Sequence, residues 1–203
     1  MTPAIDITCE GVGRAYGERV VFRDVSFQLP AGSTLAVFGS NGAGKTTLLR
    51  MLATLLRPHA GRLEVLGGEL PKQGWKVRGR LGLLAHEPLL YRDLTARENL
   101  AFHARLHDVA PTRVDELLER VGMAARSEEP LRTLSRGMVQ RVAVCRAVLH
   151  DPELLLLDEP YANLDTQSEA LVRELLGGAR TRVLVSHDVA GARAEADEVL
   201  ELA

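Results

Sequence analysis

Apolar and polar residues alternate near the start of the chain. Val25, Phe27 and Leu29 are separated by Ser26 and Gln28, a period of two that puts one face of a strand on a core and the other toward water. Leu63 and Val65 repeat the spacing just ahead of Gly67-Gly68, where the backbone can reverse, so a hairpin is expected there. The opening stretch therefore reads as antiparallel sheet. Four later runs do not alternate: Leu35 to Phe38, Leu81 to Ala85, Leu154 to Leu157 and Val183 to Val185. Continuous short apolar runs are the mark of strands covered on both faces, as in a parallel sheet. Helical patterns lie between them, which makes the core α/β.

From Glu87 to Thr133 the pattern turns helical. Thr95 with Glu98, and Thr112 with Asp115, each have the spacing of a capping box, the second opening a helix that ends near Gly122. The expected organisation is one domain over 1–203, with a catalytic core over 1–86 and 134–203 and a helical lobe over 87–133. With a last strand expected over Val199 to Leu202, no tail domain is expected.

Composition narrows the partners. With 46% hydrophobic and 26% charged residues, the chain can bury a sizeable core, yet no stretch approaches the roughly 20 apolar residues of a spanning helix. Met1 to Glu10 carries Asp6 and Glu10 and lacks the basic and apolar segments of a secretory signal, so a cytoplasmic protein is expected. A net charge of −2 gives no global basic field, which argues against a nucleic-acid partner. Cys9 and Cys145 have no metal-like spacing and read as small buried hydrophobes.

Two motifs carry chemistry. Gly39-Ser40-Asn41-Gly42-Ala43-Gly44-Lys45-Thr46 fits G-x-x-x-x-G-K-[ST], follows an apolar run, and leads through Thr47 into a helical pattern. Its glycines let backbone N–H groups curl around phosphates, Lys45 reaches the terminal phosphates, and the Thr46 hydroxyl suits Mg²⁺. Asp158-Glu159 then ends the run Leu154 to Leu157, at the carboxyl end of a buried strand, where α/β sheets bind ligands. Asp158 is expected to hold Mg²⁺ through water, and Glu159 to polarise an attacking water.

These motifs indicate nucleotide hydrolysis and no more. Leu134-Ser135-Arg136-Gly137-Met138 resembles the ABC signature, usually Leu-Ser-Gly-Gly-Gln. Ser135 at a helix start either caps its own helix or holds a γ-phosphate presented by a second subunit. Tyr16 resembles the aromatic residue that stacks on adenine, although a tyrosine beside a strand also suits a core. Asn163-Leu164-Asp165 resembles the loop that crosses the dimer interface, and Ser186-His187-Asp188 resembles the switch-histidine segment. In order and over nearly the whole chain, these motifs resemble the ATP-binding subunits of ABC transporters.

That resemblance implies a P-loop NTPase fold with an ABC-type ATPase core, an antiparallel β subdomain and a helical subdomain. It implies ATP and Mg²⁺ as ligands, with Glu159, His187 and Lys45 catalytic and Thr46, Asp158 and Glu87 at the metal. It implies a homodimer or a pair with a similar cassette, and a separate membrane-spanning subunit on whose cytoplasmic (inner-membrane) face the chain sits peripherally. Ala85-His86-Glu87-Pro88 departs from the pattern, with Glu87 read in the place of the usual glutamine. The Gly-Ser-Asn-Gly loop and the histidine before Glu87 also look like the haem-exporter ATP-binding subunits of cytochrome c maturation (CcmA), while drug or lipid exporters share most of these features. Chromosome and DNA-repair ATPases of the superfamily would need a long coiled-coil insertion where this chain has only 87–133, and soluble translation factors normally carry two cassettes.

Overall fold

A computed structural model describes residues 4–178 and 180–202. The chain forms two compact units: Met1–Leu83 with Glu153–Glu159 and Ala179–Ala203, and Leu84–Pro152 with Pro160–Gly178.

In the first unit the expected antiparallel sheet is present. β1 (Ile5–Tyr16) and β2 (Arg19–Pro30) pair antiparallel, and β4 (Ala60–Val65) and β5 (Gly68–Leu70) continue the sheet in the order β2-β1-β4-β5. The alternation of β2 works as read: Val25 and Leu29 are buried, with exposed or half-buried residues between them. A second sheet has the order β6-β7-β8-β3-β9, from β3 (Thr34–Gly39), β6 (Leu81–Leu84), β7 (Leu154–Asp158), β8 (Thr181–Val185) and β9 (Glu198–Leu202). β7, β8, β3 and β9 run parallel. All five residues of β7 are buried, as a strand covered on both faces requires.

Register matters most for function. Asp158 lies opposite Val185, Val37 opposite Val185, and Gly39 opposite Leu202. The segments that follow β3, β7 and β8 therefore leave one edge of the sheet at the same level. α1 (Lys45–Leu52) starts at that edge and buries Leu48, Leu49, Met51 and Leu52. α2 (Gly74–Val77) is a single turn, and α7 (Val189–Glu195) is capped by the Asp188 side chain. Cys9 sits in this core with its thiol donating to the Val25 carbonyl at 3.3 Å, and burial pushes its pKa up to about 12.

The second unit is helical: α3 (Ala96–Leu106), α4 (Thr112–Arg120), α5 (Arg136–Val148) and α6 (Thr166–Leu176). The Thr95–Glu98 capping box is present in full. The one expected at Thr112 is not. The cap position is Pro111, whose ring fixes φ near the helical value (−57°), and its carbonyl already accepts from Val114 N at 3.0 Å, so no hydroxyl is needed. Asp115 is engaged instead by Arg97 of α3. Fully buried Asn99 accepts from Tyr91 N and donates to the carbonyls of Tyr91 and Thr95, shaping the loop ahead of α3. Cys145 is buried in α5, its thiol also pushed up to about 12 by burial. Both cysteines are inert packing groups.

Candidate functional site

The site is built in the first unit, from the segments that leave the shared sheet edge. Gly39 ends β3 with φ +147°, and a side chain there would strike the Leu202 carbonyl at 2.5 Å, so only glycine lets β9 pack this close. Gly44 begins α1 with φ +99°, and its missing side chain makes room for Val21 and Phe22, each of which a Cβ would meet at 2.6 Å. Strand β2 thus backs the phosphate loop, a role that the sequence of β2 alone does not announce. Arg19, at the start of β2, brings a guanidinium nitrogen 4.0 Å from where a Gly42 side chain would be. The only prior signal for it was its place across the turn from Tyr16.

Lys45 folds over the loop it belongs to, its ammonium donating to the carbonyls of Gly39 (2.7 Å) and Ser40 (3.0 Å). The Thr46 hydroxyl donates to Asp158 Oδ2 at 2.9 Å, joining residues 112 positions apart. Asp158 is buried at 5% exposure, so its carboxylate is fixed in place and aimed at the loop. Ser40, Asn41 and Gly42 are exposed at the loop's crown, Ala43 is buried beneath it, and Thr47 is half-buried in the first turn of α1.

Glu159 has a positive φ of +54°, outside ordinary strand geometry, while its N–H still donates to the Val185 carbonyl at 2.9 Å. The backbone therefore turns sharply at the last ladder bond. Burial raises the Glu159 carboxyl above the usual range; the Asp158 charge pushes the same way, and His187 and Lys45 pull it back. His187 Nε2 stands 3.7 Å from Glu159 Oε1, with the imidazole 71% exposed and the carboxylate 17%. A desolvated carboxylate beside a largely solvent-facing imidazole is an arrangement able to hold and move a proton at a water.

Tyr16 is exposed, not core, with the Arg14 guanidinium 4.6 Å over its ring. Among the described residues no group of three His, Cys, Asp or Glu stands ready to cage a metal. The donors present still fit Mg²⁺: one hydroxyl and one buried carboxylate in contact, the sparse oxygen set of an ion whose other ligands are waters and phosphates.

The other predicted residues lie in the second unit. Ser135 is the exposed N-cap of α5, its hydroxyl accepting from Met138 N at 3.3 Å, and Arg136 is exposed beside it. Leu134, Gly137 and Met138 are half-buried. A side chain on Gly137 would meet the Asn163 carbonyl at 2.5 Å, so the signature turn and the 163–165 loop pack directly. Asp165 is the N-cap of α6, accepting from Ser168 N at 2.7 Å, a bond that holds its carboxyl below the ordinary range. Glu87 is exposed in the turn after β6.

A family profile described as ABC transporter matches residues 22–162. The chain belongs to the ABC transporter family. This ABC chain is 38% identical over 201 residues to a daunorubicin resistance ATP-binding protein of Streptomyces coeruleorubidus, covering 95% of the chain and 64% of that protein. It is 37% identical over 210 residues to an Fe(3+) ions import ATP-binding protein of Rhodococcus jostii (98% of the chain, 59% of that protein). It thus spans less than two thirds of the length of either relative. Its ABC ATPase fold matches a dimeric ATP-binding cassette solved in a post-hydrolysis state with ADP and Pi, with a TM-score of 0.86 and 24% identity, covering 97% of this chain and 94% of that one. Among the described residues, no helix is long and apolar enough to cross a membrane.

Proposed function

We propose that this chain binds ATP with Mg²⁺ at the phosphate loop, hydrolyses it, and powers export through a separate membrane-spanning subunit on whose cytoplasmic face it sits. The observation that supports this most is the convergence of Lys45, Thr46, Asp158, Glu159 and His187 at one edge of a parallel sheet, with Thr46 bonded to Asp158. Lys45 exchanges its two neutral carbonyl partners for terminal phosphate oxygens, a stronger charge-assisted contact. Thr46 and Asp158 would hold Mg²⁺, which neutralises phosphate charge. Glu159 orients the attacking water and accepts its proton, and His187 contacts the γ-phosphate from the facing side. Tyr16 offers its open ring face to the adenine, and Glu87 links this chemistry to the membrane subunit from the 87–133 lobe.

Each ATP is completed by a second copy or a similar cassette. Exposed Ser135 and half-buried Gly137 approach the γ-phosphate bound by the partner, and Asp165 lies on the loop that crosses between them. The likeness to a dimeric cassette supports this reading. For cargo, the drug-resistance relative favours a small-molecule exporter. The haem-export reading rests only on the resemblance of the Gly-Ser-Asn-Gly loop and of the histidine before Glu87. Relatives of nearly equal identity are named for drug resistance and for iron import, so cargo and direction belong to the membrane partner.

Lys45→Ala tests the ATPase reading: turnover is expected to vanish, and wild-type turnover would overturn it. Co-purification of the membrane partner tests the cargo reading. A multi-span exporter subunit is expected, and recovery of cytochrome c maturation proteins would select haem export instead.

A further inference from the structure

The chain passes from the first unit to the second between Glu159 and Pro160, so the carboxylate assigned to the attacking water stands on the last residue before the crossing. Its backbone is doubly disfavoured. A non-glycine residue rarely takes a positive φ, and a residue ahead of proline favours extended backbone at negative φ, yet Glu159 holds φ +54° directly before Pro160. Such a conformation persists only where its surroundings over-determine it. On the entry side, the Glu159 N–H donates to the Val185 carbonyl at 2.9 Å. On the exit side, buried Pro160 presents its carbonyl to Gln140, whose Nε2 donates to it at 3.1 Å.

Gln140 belongs to α5, the helix that Ser135 caps. Gly137 comes three residues earlier, on the same face of that helix, and the Asn163 carbonyl stands 2.5 Å from where its side chain would be. Asn163 also has a positive φ, +62°, and Asp165 then caps α6. Between the two ends, the Arg173 guanidinium covers the Tyr161 ring at 4.1 Å. The arc from Glu159 to Asn163 therefore rests on one face of the signature helix, at one carbonyl near each end.

We propose, on the ATPase reading above, that Gln140 is a positioning residue for Glu159. By fixing the Pro160 carbonyl it holds the strained Glu159 backbone where its carboxylate meets the attacking water. Because it rides on α5, it also ties that carboxylate to the seating of Ser135 on the partner's ATP. Magnitudes favour this over a role in stability alone. For the fold, the bond is one neutral hydrogen bond beside a helix that already buries Val142 to Cys145, Ala147 and Val148. For the reaction, a displacement of about 1 Å at a reacting group costs on the order of a hundredfold in rate.

The full chain is compared with Gln140→Leu, which keeps bulk but has no donor, and with Gln140→Lys, whose longer side chain ends in one. For Gln140→Leu, kcat should fall about ten- to a hundredfold, while KM and the ATP dissociation constant stay within about twofold. ATP-driven dimerisation, followed by light scattering, should persist, and the melting temperature should drop by only about 2–4 °C. Gln140→Lys should recover most of the lost kcat. The acid limb of the kcat–pH profile should move to lower pH in Gln140→Leu. A loosened backbone lets water reach a carboxyl that burial now holds above its usual range, with Asp158, His187 and Lys45 unchanged around it. Gln140→Ala, a good helix former, gives the same readings should Gln140→Leu not fold. Wild-type kcat in the donorless variants, dimerisation lost together with kcat, an acid limb that stays in place, or no recovery by Gln140→Lys would each overturn the proposal. If the wild type hydrolyses ATP and Lys45→Ala does not, those outcomes strike the role of Gln140 alone. No turnover by the wild type would overturn the ATPase reading, and the role of Gln140 with it.

Discussion

The phosphate loop and the signature turn differ in how their functional groups are satisfied. Around the loop, the bonds join segments far apart in the chain: Thr46 to Asp158, Glu159 to Val185, Gly39 against Leu202. At the signature turn they are local: Ser135 caps its own helix and Asp165 caps its own. The loop is complete within the chain and partly buried, so a change there disturbs both chemistry and fold. The signature hydroxyl is already satisfied and sits in water. Any large effect of changing it on ATP hydrolysis must come from a contact outside its own chain.

Glu159→Gln should have the largest effect. It removes the proton acceptor and lowers kcat by about 10²–10⁴-fold, measured by steady-state phosphate release. Stability should move the other way. A carboxyl whose folded pKa is raised contributes stability only at acid pH and loses it as pH rises through that pKa, so at neutral pH its charge is a cost. The glutamine variant should therefore melt at or above the wild-type temperature; a lower melting temperature would contradict the desolvated carboxylate.

Gly44→Ala comes next. It puts a side chain at φ +99° and against Val21 and Phe22, for a combined cost of about 2–4 kcal/mol. Chemical denaturation and nucleotide titration should both register it. Thermal stability unchanged from wild type would mean that β2 does not buttress the loop.

Ser135 gives the sharper contrast. Ser135→Ala loses the cap, about 1 kcal/mol, and the melting temperature should fall by roughly 2–4 °C. Ser135→Asp keeps the cap but sets a negative charge where a partner's γ-phosphate would arrive. Its melting temperature should match wild type while ATP-driven dimerisation, followed by light scattering, disappears. If the aspartate variant dimerises normally, the signature turn does not meet a phosphate.

The smallest effect belongs to the second unit's histidines. Burial lowers the pKa of His103 to about 4, with Arg146, His107 and His150 adding positive charge around it, and the His107 and His150 rings stack at 4.1 Å. A base held below its ordinary value of 6.5 contributes stability that is complete above 6.5 and lost as pH falls from there through about 4. His103→Gln should flatten that acid limb in a series of melting temperatures and leave the neutral value nearly unchanged.

Much of this was legible in the chain. Alternation marks β2, continuous apolar runs mark β3, β6, β7 and β8, and the loop, the acidic pair and the Thr95 box stand out because each places particular chemistry at fixed local spacing. What was hidden depends on register and on competition. Val21 and Phe22 look like ordinary strand residues until β2 is laid against Gly44. Thr112 has the right neighbour for a capping box, yet proline takes the cap and Arg97 takes the acid. Gly137 stands out in the sequence only as part of the signature motif, and the structure adds a reason for glycine there, the Asn163 carbonyl of its own chain.

The bond from Thr46 to Asp158 has a consequence for what the loop can recognise. A threonine hydroxyl owns a single proton, and here it is committed inward to a buried carboxylate. Only lone pairs remain to face outward. The Thr46 oxygen is therefore polarised in one sense: it can welcome an electron-poor ion but has no hydrogen to offer an oxygen that seeks one, a task left to Lys45 and the backbone N–H groups of the loop. Discrimination between a hard cation and a water presenting its oxygen is thus written into the direction of one O–H bond, before any charge is counted.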